Sequence, residues 1–243
     1  EVLGVLHLAM GEDSQGLSEA DVKKELESRK LLAVGIVERY ALSLTSLRLR
    51  ETLRIQSIRD PLTGLYNRRH MEDSLLREER RARRRGTQLG IIVIDVDHFK
   101  AFNDTYGHAT GDALLAALGS FLGEHTRGED IACRYGGEEF TLILPEASLE
   151  NTRQRAEELR QRIKGQLRVQ HRRKWCKITI SAGAAVFPDH GASVREALAS
   201  ADRALYRAKV EGRNRVAGAD QTLLRPSGSR DRIGAGKGRA AGR

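Results

Sequence analysis

Four carboxylates in this chain occupy positions where chemistry is possible. Asp95 and Asp97 end the apolar run Leu89-Gly-Ile-Ile-Val-Ile-Asp-Val-Asp97, and Glu138 and Glu139 follow the glycine pair Gly136-Gly137. The apolar run predicts a central strand, buried on both faces until it ends in carboxylates. The glycines between Ile131–Tyr135 and Phe140–Leu144 predict a hairpin turn. If these strands are neighbours, Asp95 and the glutamates converge at one sheet edge, where like charges repel unless a cation neutralises them. Hard oxygen ligands at a strand end, with room for water and phosphate oxygens, suit Mg²⁺. Such a site holds a triphosphate for in-line displacement. The competing reading is an acidic, solvated turn, and spacing alone leaves both open.

The elements that must position these groups follow from pattern and punctuation. Val2–Leu8 reads as a strand, followed by a loop over Gly11–Gly16. Ser18 opens a helix with Asp21 three residues on, as in a capping box, and Leu17 and Val22 form a hydrophobic staple. No proline intervenes before Pro61, so this helix is expected to run from Ser18 to Ile58, on the order of 60 Å at ~1.5 Å per residue. A helix of that length packs against a partner, and Leu42, Leu49 and Leu53 follow coiled-coil seam spacing. Packing against its own preceding domain is the alternative.

After the Asp60-Pro61 stop, helices are expected at Asn67–Arg85, Gly111–Thr126, Leu149–Lys164 and Val194–Glu211. Strands are expected at Leu89–Asp97, Ile131–Tyr135, Phe140–Leu144, Lys177–Phe187 and Arg215–Ala217, with Phe99–Thr110 as a loop. The core order β-α-β-β-α-β is the split, ferredoxin-like arrangement of an α+β fold. Four segments result: 1–17, a terminal strand and loop; 18–58, a long helix; 59–218, the α+β domain; and 219–243, a basic Gly/Arg-rich tail read as disordered.

Composition bounds the alternatives. With 243 residues, 40% of them hydrophobic, the chain buries a real core, which excludes wholesale disorder. No apolar run approaches the roughly 18 residues of a membrane span. Cys133 and Cys176 lie far apart with no metal-ligand spacing, which excludes a disulfide scaffold or zinc module and points to a reducing compartment. The net charge of +9 is largely placed on helix faces and the tail, where six cations from Asp220 onward face two acids. Trp175 beside the basic run His171–Lys174 has no aromatic neighbours in sequence, so nucleic-acid stacking is not expected. The chain begins at Glu1 within a strand-like run, which reads as part of a longer protein.

Several motifs occur in order: Asp60-Pro-Leu-Thr-Gly-Leu-Tyr-Asn-Arg-Arg69, Asp95-Val-Asp-His-Phe-Lys100, Asn103-Asp-Thr-Tyr-Gly-His108, Gly111-Asp112, Arg134-Tyr-Gly-Gly-Glu-Glu-Phe140 and Ala201-Asp-Arg-Ala-Leu-Tyr-Arg-Ala-Lys209. Together they closely resemble the GGDEF family of diguanylate cyclases in its GGEEF form, over about Arg59 to Gly218. The resemblance implies a nucleotidyl-cyclase palm that joins two GTP molecules into cyclic di-GMP and releases two pyrophosphates. It also implies a homodimer, a Mg²⁺ (or Mn²⁺) requirement and a cytoplasmic setting; no nucleic-acid partner is expected, and no membrane partner within this fragment. A catalytically silent module that binds GTP or cyclic di-GMP is the alternative.

Carried over by position, Asp95, Glu139 and the Val96 carbonyl resemble metal ligands. Glu138 matches a residue that binds metal or helps deprotonate the attacking 3′-hydroxyl. Asn103 and Asp112 match the guanine readers, His98, Phe99 and Lys100 match phosphate-binding positions, and so do Lys209 and Arg213. Arg127-Gly-Glu-Asp130 matches the RxxD motif through which product inhibits many members. Where the family often has a second arginine on the following helix, this chain has Glu158. Val2–Leu8 and the run into Leu42–Leu49 resemble the end of a GAF sensory domain, which implies an upstream sensor.

Overall fold

The computed structural model describes residues 18–172 and 174–220. The expected strand at Val2–Leu8, the Gly11–Gly16 loop and the tail beyond Asp220 lie outside the described residues. The chain divides into two compact units at Ile58/Arg59.

Among its described residues the first unit is one helix, α1 (Glu19–Ile58), which ends just ahead of the Asp60-Pro61 stop as its sequence dictates. It exposes large apolar side chains along its length, among them Leu31, Leu42 and Leu49.

The second unit is an α+β fold built on a five-stranded sheet. Its elements are α2 (Arg68–Arg85), β1 (Leu89–Val96), α3 (Phe99–Tyr106), α4 (His108–Glu124), β2 (Ile131–Gly136), β3 (Glu139–Pro145), α5 (Leu149–Gln166), β4 (Arg168–His171), β5 (Lys174–Lys177), β6 (Ile180–Phe187), α6 (Val194–Val210) and β7 (Val216–Gly218). The sheet order is β2-β3-β1-β6-β7, antiparallel except for the parallel β6–β7 pair, while β4 and β5 form a separate ribbon. The split arrangement expected from the sequence is therefore present, with α2 placed ahead of it and α6–β7 appended.

Strand alternation divides the core into two layers. Ile92, Ile94 and Val96 of β1 pack with Leu114, Leu118 and Leu122 of α4 and with Ala156, Leu159 and Ile163 of α5. Leu89, Ile91 and Val93 face the other way, toward Met71 and Leu75 of α2 and Ala197, Ala201 and Leu205 of α6. This explains why β1 is apolar without a break. The small residues of β6 reflect close helix contact: a Cβ on Gly183 would lie 2.0 Å from the Ala201 carbonyl oxygen on α6. Cys133 is fully buried, and burial pushes its thiol up to about 12, which keeps it protonated and packed.

Two sequence expectations are corrected. Phe99–Thr110 is not a loop but α3, an elbow at Gly107 (φ 83°) and the start of α4. Residues 168–177 form the β4–β5 ribbon, and β6 begins only at Ile180. Both were hidden by polar composition, because each segment buries few of its own residues and is held by packing on neighbours.

Candidate active site

Asp95 and Glu139 are direct cross-strand partners at the ends of β1 and β3. Alternation along β1 turns Asp95 to the α6 side, where Lys209 in the last turn of α6 places Nζ 2.8 Å from its Oδ2. Burial pushes the Asp95 carboxyl above its ordinary range; Lys209 opposes this, while Glu138 and Asp97 add to it. Glu139 is raised too, first by burial and then by repulsion from Asp95, with Lys209 again opposing. Two desolvated carboxylates that repel one another favour a cation between them.

Asp97 has a different role from Asp95. Its carboxylate accepts hydrogen bonds from Thr179 Oγ1 and Ser181 Oγ, both at 2.6 Å, and from the Asn214 amide at 3.0 Å. With three donors, it ties the end of β1 to the turn after α6, where Arg213 and Asn214 adopt left-handed backbone conformations. That turn carries Arg213, exposed one helical turn beyond Lys209.

Glu138 sits partly exposed on the β2–β3 turn, and its carbonyl accepts from the Val96 amide at 3.3 Å. The turn is pinned from behind. Arg134 donates from Nε and Nη2 to the Gly137 carbonyl (3.0 and 2.8 Å), and its Nη1 lies 3.2 Å from both carboxylate oxygens of Asp60. Gly137 has φ 51°, the left-handed conformation that favours glycine. Burial raises the Asp60 carboxyl, yet the Thr63 hydroxyl and amide together with Arg134 outweigh it and hold the group below its usual range. These pinning roles of Asp60, Arg134 and Asp97 were missed in the sequence, since Asp60 and Arg134 are 74 residues apart and Asp97 meets Thr179 across 82.

At the start of α3, His98 adopts φ 58° as the N-cap and Lys100 is exposed. The Phe99 ring is buried in the core, so only its backbone is available for a phosphate. Unbonded N–H groups at a helix start suit that use.

Asn103 lies one turn on, with Oδ1 buried and without a hydrogen-bond partner among the described residues. Gly111 on α4 presses against it: a Cβ there would stand 1.9 Å from Oδ1. Asp112 is exposed beside this contact. A buried acceptor without a donor is costly unless a ligand supplies one. The β4–β5 ribbon braces the elbow, with His171 Nδ1 2.9 Å from Thr110 Oγ1.

Arg127 and Asp130 close a tight turn through the Arg127 amide and Asp130 Oδ2 (2.9 Å). They line a groove of about 240 Å³ together with Asn151, Gln154, Arg155 and Glu158. Glu158 does face this groove, but so does Arg155, whose Nη1 lies 3.7 Å from the Glu158 carboxylate. A guanidinium is therefore present on α5 at a position the sequence did not single out.

The residues fit a divalent cation of the Mg²⁺ type. Among the described residues no three His, Cys, Asp or Glu side chains converge on one point, so Glu138 does not complete an all-protein cage. Mg²⁺ sites generally use one or two carboxylates plus substrate phosphates, and the Asp95–Glu139 pair matches that number.

Known proteins agree with this architecture. The model of the diguanylate cyclase GGDEF domain matches residues 57–215. The response regulator PleD of Caulobacter vibrioides is 39% identical over 163 residues, 67% of this chain and 36% of that protein. The coiled coil and GGDEF domain of DgcB from Caulobacter crescentus, solved in complex with c-di-GMP, is 34% identical with a TM-score of 0.66, covering 80% of this chain and 99% of that one. The active GGEEF domain of a diguanylate cyclase from Vibrio cholerae is 31% identical with a TM-score of 0.59, covering 64% and 98%. This chain spans about a third of the length of its curated relatives. With that match spanning most of the second unit, the chain belongs to the GGDEF family of diguanylate cyclase domains.

Proposed function

We propose that this protein condenses two GTP molecules into cyclic di-GMP with release of two pyrophosphates. The observation that carries the reading is the pairing of Asp95 with Glu139 across β1 and β3, beside Lys209. When bound by Asp95, Glu139 and the Val96 carbonyl, Mg²⁺ or Mn²⁺ supplies charge neutralisation at the transferring phosphoryl group. Lys209 and Arg213 neutralise the phosphates on one side, and the α3 N-terminus with Lys100 does so on the other. Glu138, on the solvent side of the turn, accepts the proton of the attacking 3′-hydroxyl.

Asn103 Oδ1 and the Asp112 carboxylate accept the N1–H and N2–H₂ donors of guanine. Adenine offers no donor at either place and would leave both acceptors unpaired. One domain holds one GTP, so the two 3′-hydroxyls reach opposite α-phosphates only when two domains meet, and a homodimer is required. Product returning to the Arg127–Asp130 groove provides feedback. An upstream GAF-like sensor and a cytoplasmic setting complete the reading; among the described residues no helix is long and apolar enough to cross a membrane.

The test is incubation of the chain with GTP and Mg²⁺, with the product identified by mass spectrometry. Cyclic di-GMP is expected from the parent and none from Asp95→Ala or Glu138→Ala of unchanged circular dichroism. Nucleotide binding without turnover in a dimeric parent would establish the silent module instead.

A further inference from the structure

The span between Glu158 and Asp189 contains eight Lys or Arg and no acidic residue. Arg160 is committed to Glu157. Lys164, Arg168, Arg172, Lys174 and Lys177 are exposed, and none of the five forms an ion pair with a described residue. Elsewhere on the surface Arg68, Arg83, Arg85 and Arg215 do find carboxylates. A concentration of cations without ion pairs, in a stretch of sequence that holds no acid, suits a surface that meets an anion.

The β4–β5 ribbon organises this charge. Val169 and Cys176 are cross-strand partners and both are buried, which fixes one face of the ribbon against the domain. By alternation the neighbouring pairs, Arg168 with Lys177 and Gln170 with Trp175, occupy the outer face. Trp175 is 63% exposed at the middle of that face. Lys177 and Lys164 also rim a groove of about 490 Å³ whose walls include Ala101, Phe102 and Ile178.

We propose that the outer face of this ribbon docks the protein on the surface of an anionic phospholipid bilayer. An indole flanked by ammonium and guanidinium groups is the side-chain set that settles at headgroup level: the ring enters the interface and the cations meet lipid phosphates. Duplex DNA is a poorer match. A ribbon in the major groove presents free hydrogen-bonding readers at its centre, whereas the centre of this face is an indole with Gln170 opposite, and the Gln170 Nε2 already donates to the Arg172 carbonyl at 3.1 Å. The contact is peripheral, since no described helix spans a bilayer, and it revises the expectation that this region has no membrane partner.

Trp175 is the only tryptophan of the chain, so its emission reports on the ribbon alone. The full chain is mixed with vesicles of phosphatidylcholine, or of phosphatidylcholine with one-third phosphatidylglycerol. A blue shift and co-sedimentation are expected with the anionic vesicles only, both reversed by high salt. Arg168→Glu with Lys177→Glu, both on the outer face, should weaken vesicle partitioning by roughly twentyfold or more, from about a fivefold contribution per cation near the surface. Trp175→Ala should weaken it with the charge intact, and unchanged thermal melts establish that both variants fold. Co-sedimentation without a change in Trp175 emission would overturn the proposal, because another basic segment would then be the anchor. A shift with duplex DNA or an acidic polypeptide but not with vesicles would overturn it too, as would no binding at low salt.

Discussion

Gly111 fixes the position of Asn103, the residue proposed to read guanine. The absent side chain at Gly111 leaves Asn103 Oδ1 where it stands, because an added Cβ would fall 1.9 Å from it. Gly111→Ala should therefore push the amide out of register and raise KM for GTP at least tenfold, with the fold retained, in steady-state kinetics. Asp112→Ser removes an acceptor that takes two guanine donors, and should narrow GTP-over-ATP discrimination by about 1–3 kcal/mol; equal discrimination before and after would remove Asp112 from the base pocket. Asp60 makes a separate prediction, in acid stability. Its carboxyl is held below its ordinary 3.8 by Thr63 and Arg134 against the opposing effect of burial. A lowered folded value means that the stabilisation is complete above 3.8 and is lost as pH falls through the folded value. The stability gap between parent and Asp60→Asn, about 1 kcal/mol at neutral pH, should stay level down to pH 5 and close below about 4 in urea melts.

At the scale of elements, the close seating of α6 on β6 decides where Lys209 and Arg213 lie. Gly183 permits it: a Cβ would stand 2.0 Å from the Ala201 oxygen and 2.3 Å from the Leu205 nitrogen, both backbone atoms that side-chain repacking cannot move. Gly183→Ala should cost about 3 kcal/mol or more of stability, as overpacking against rigid backbone does, measured by denaturant unfolding. A melt like the parent's would mean that α6 shifts freely, and the placement of Lys209 beside Asp95 would lose its support. The turn at Arg127–Asp130 and helix α5 together form the groove proposed for feedback. Arg127→Ala should raise the product concentration needed for half-inhibition while leaving the initial rate unchanged. If inhibition is unaltered, the turn is a structural link only.

For the whole molecule, the proposed reaction depends on two copies meeting. α1 leaves Leu42 at 71% and Leu49 at 58% exposed in a single chain, and exposed apolar side chains spaced seven apart suit a seam with a second copy. Leu42→Glu with Leu49→Glu should shift sedimentation toward monomer and lower specific activity most at low protein concentration. A double variant that dimerises and turns over like the parent would move the dimer contact elsewhere.

Local signals were sufficient for much of this. The apolar run Leu89–Val96 had to be a central strand because it offers no polar face, and Gly136-Gly137 had to be a turn. Asp60-Pro61 had to end α1, since proline cannot continue a helix. The motif residues were legible because phosphate, metal and guanine each demand particular atoms, and those side chains stand together in sequence. Other features needed the tertiary structure, because the sequence does not reveal a partner's distance. Asp95 and Asp97 look alike in the chain, and only their partners, Lys209 for one and the donors Thr179, Ser181 and Asn214 for the other, separate a site carboxylate from a structural one. Arg155 joins the groove of Arg127 only because α5 packs across the sheet. The β4–β5 ribbon was unreadable because its two buried residues, Val169 and Cys176, are too few to make a pattern, and they gain their burial from the domain beneath.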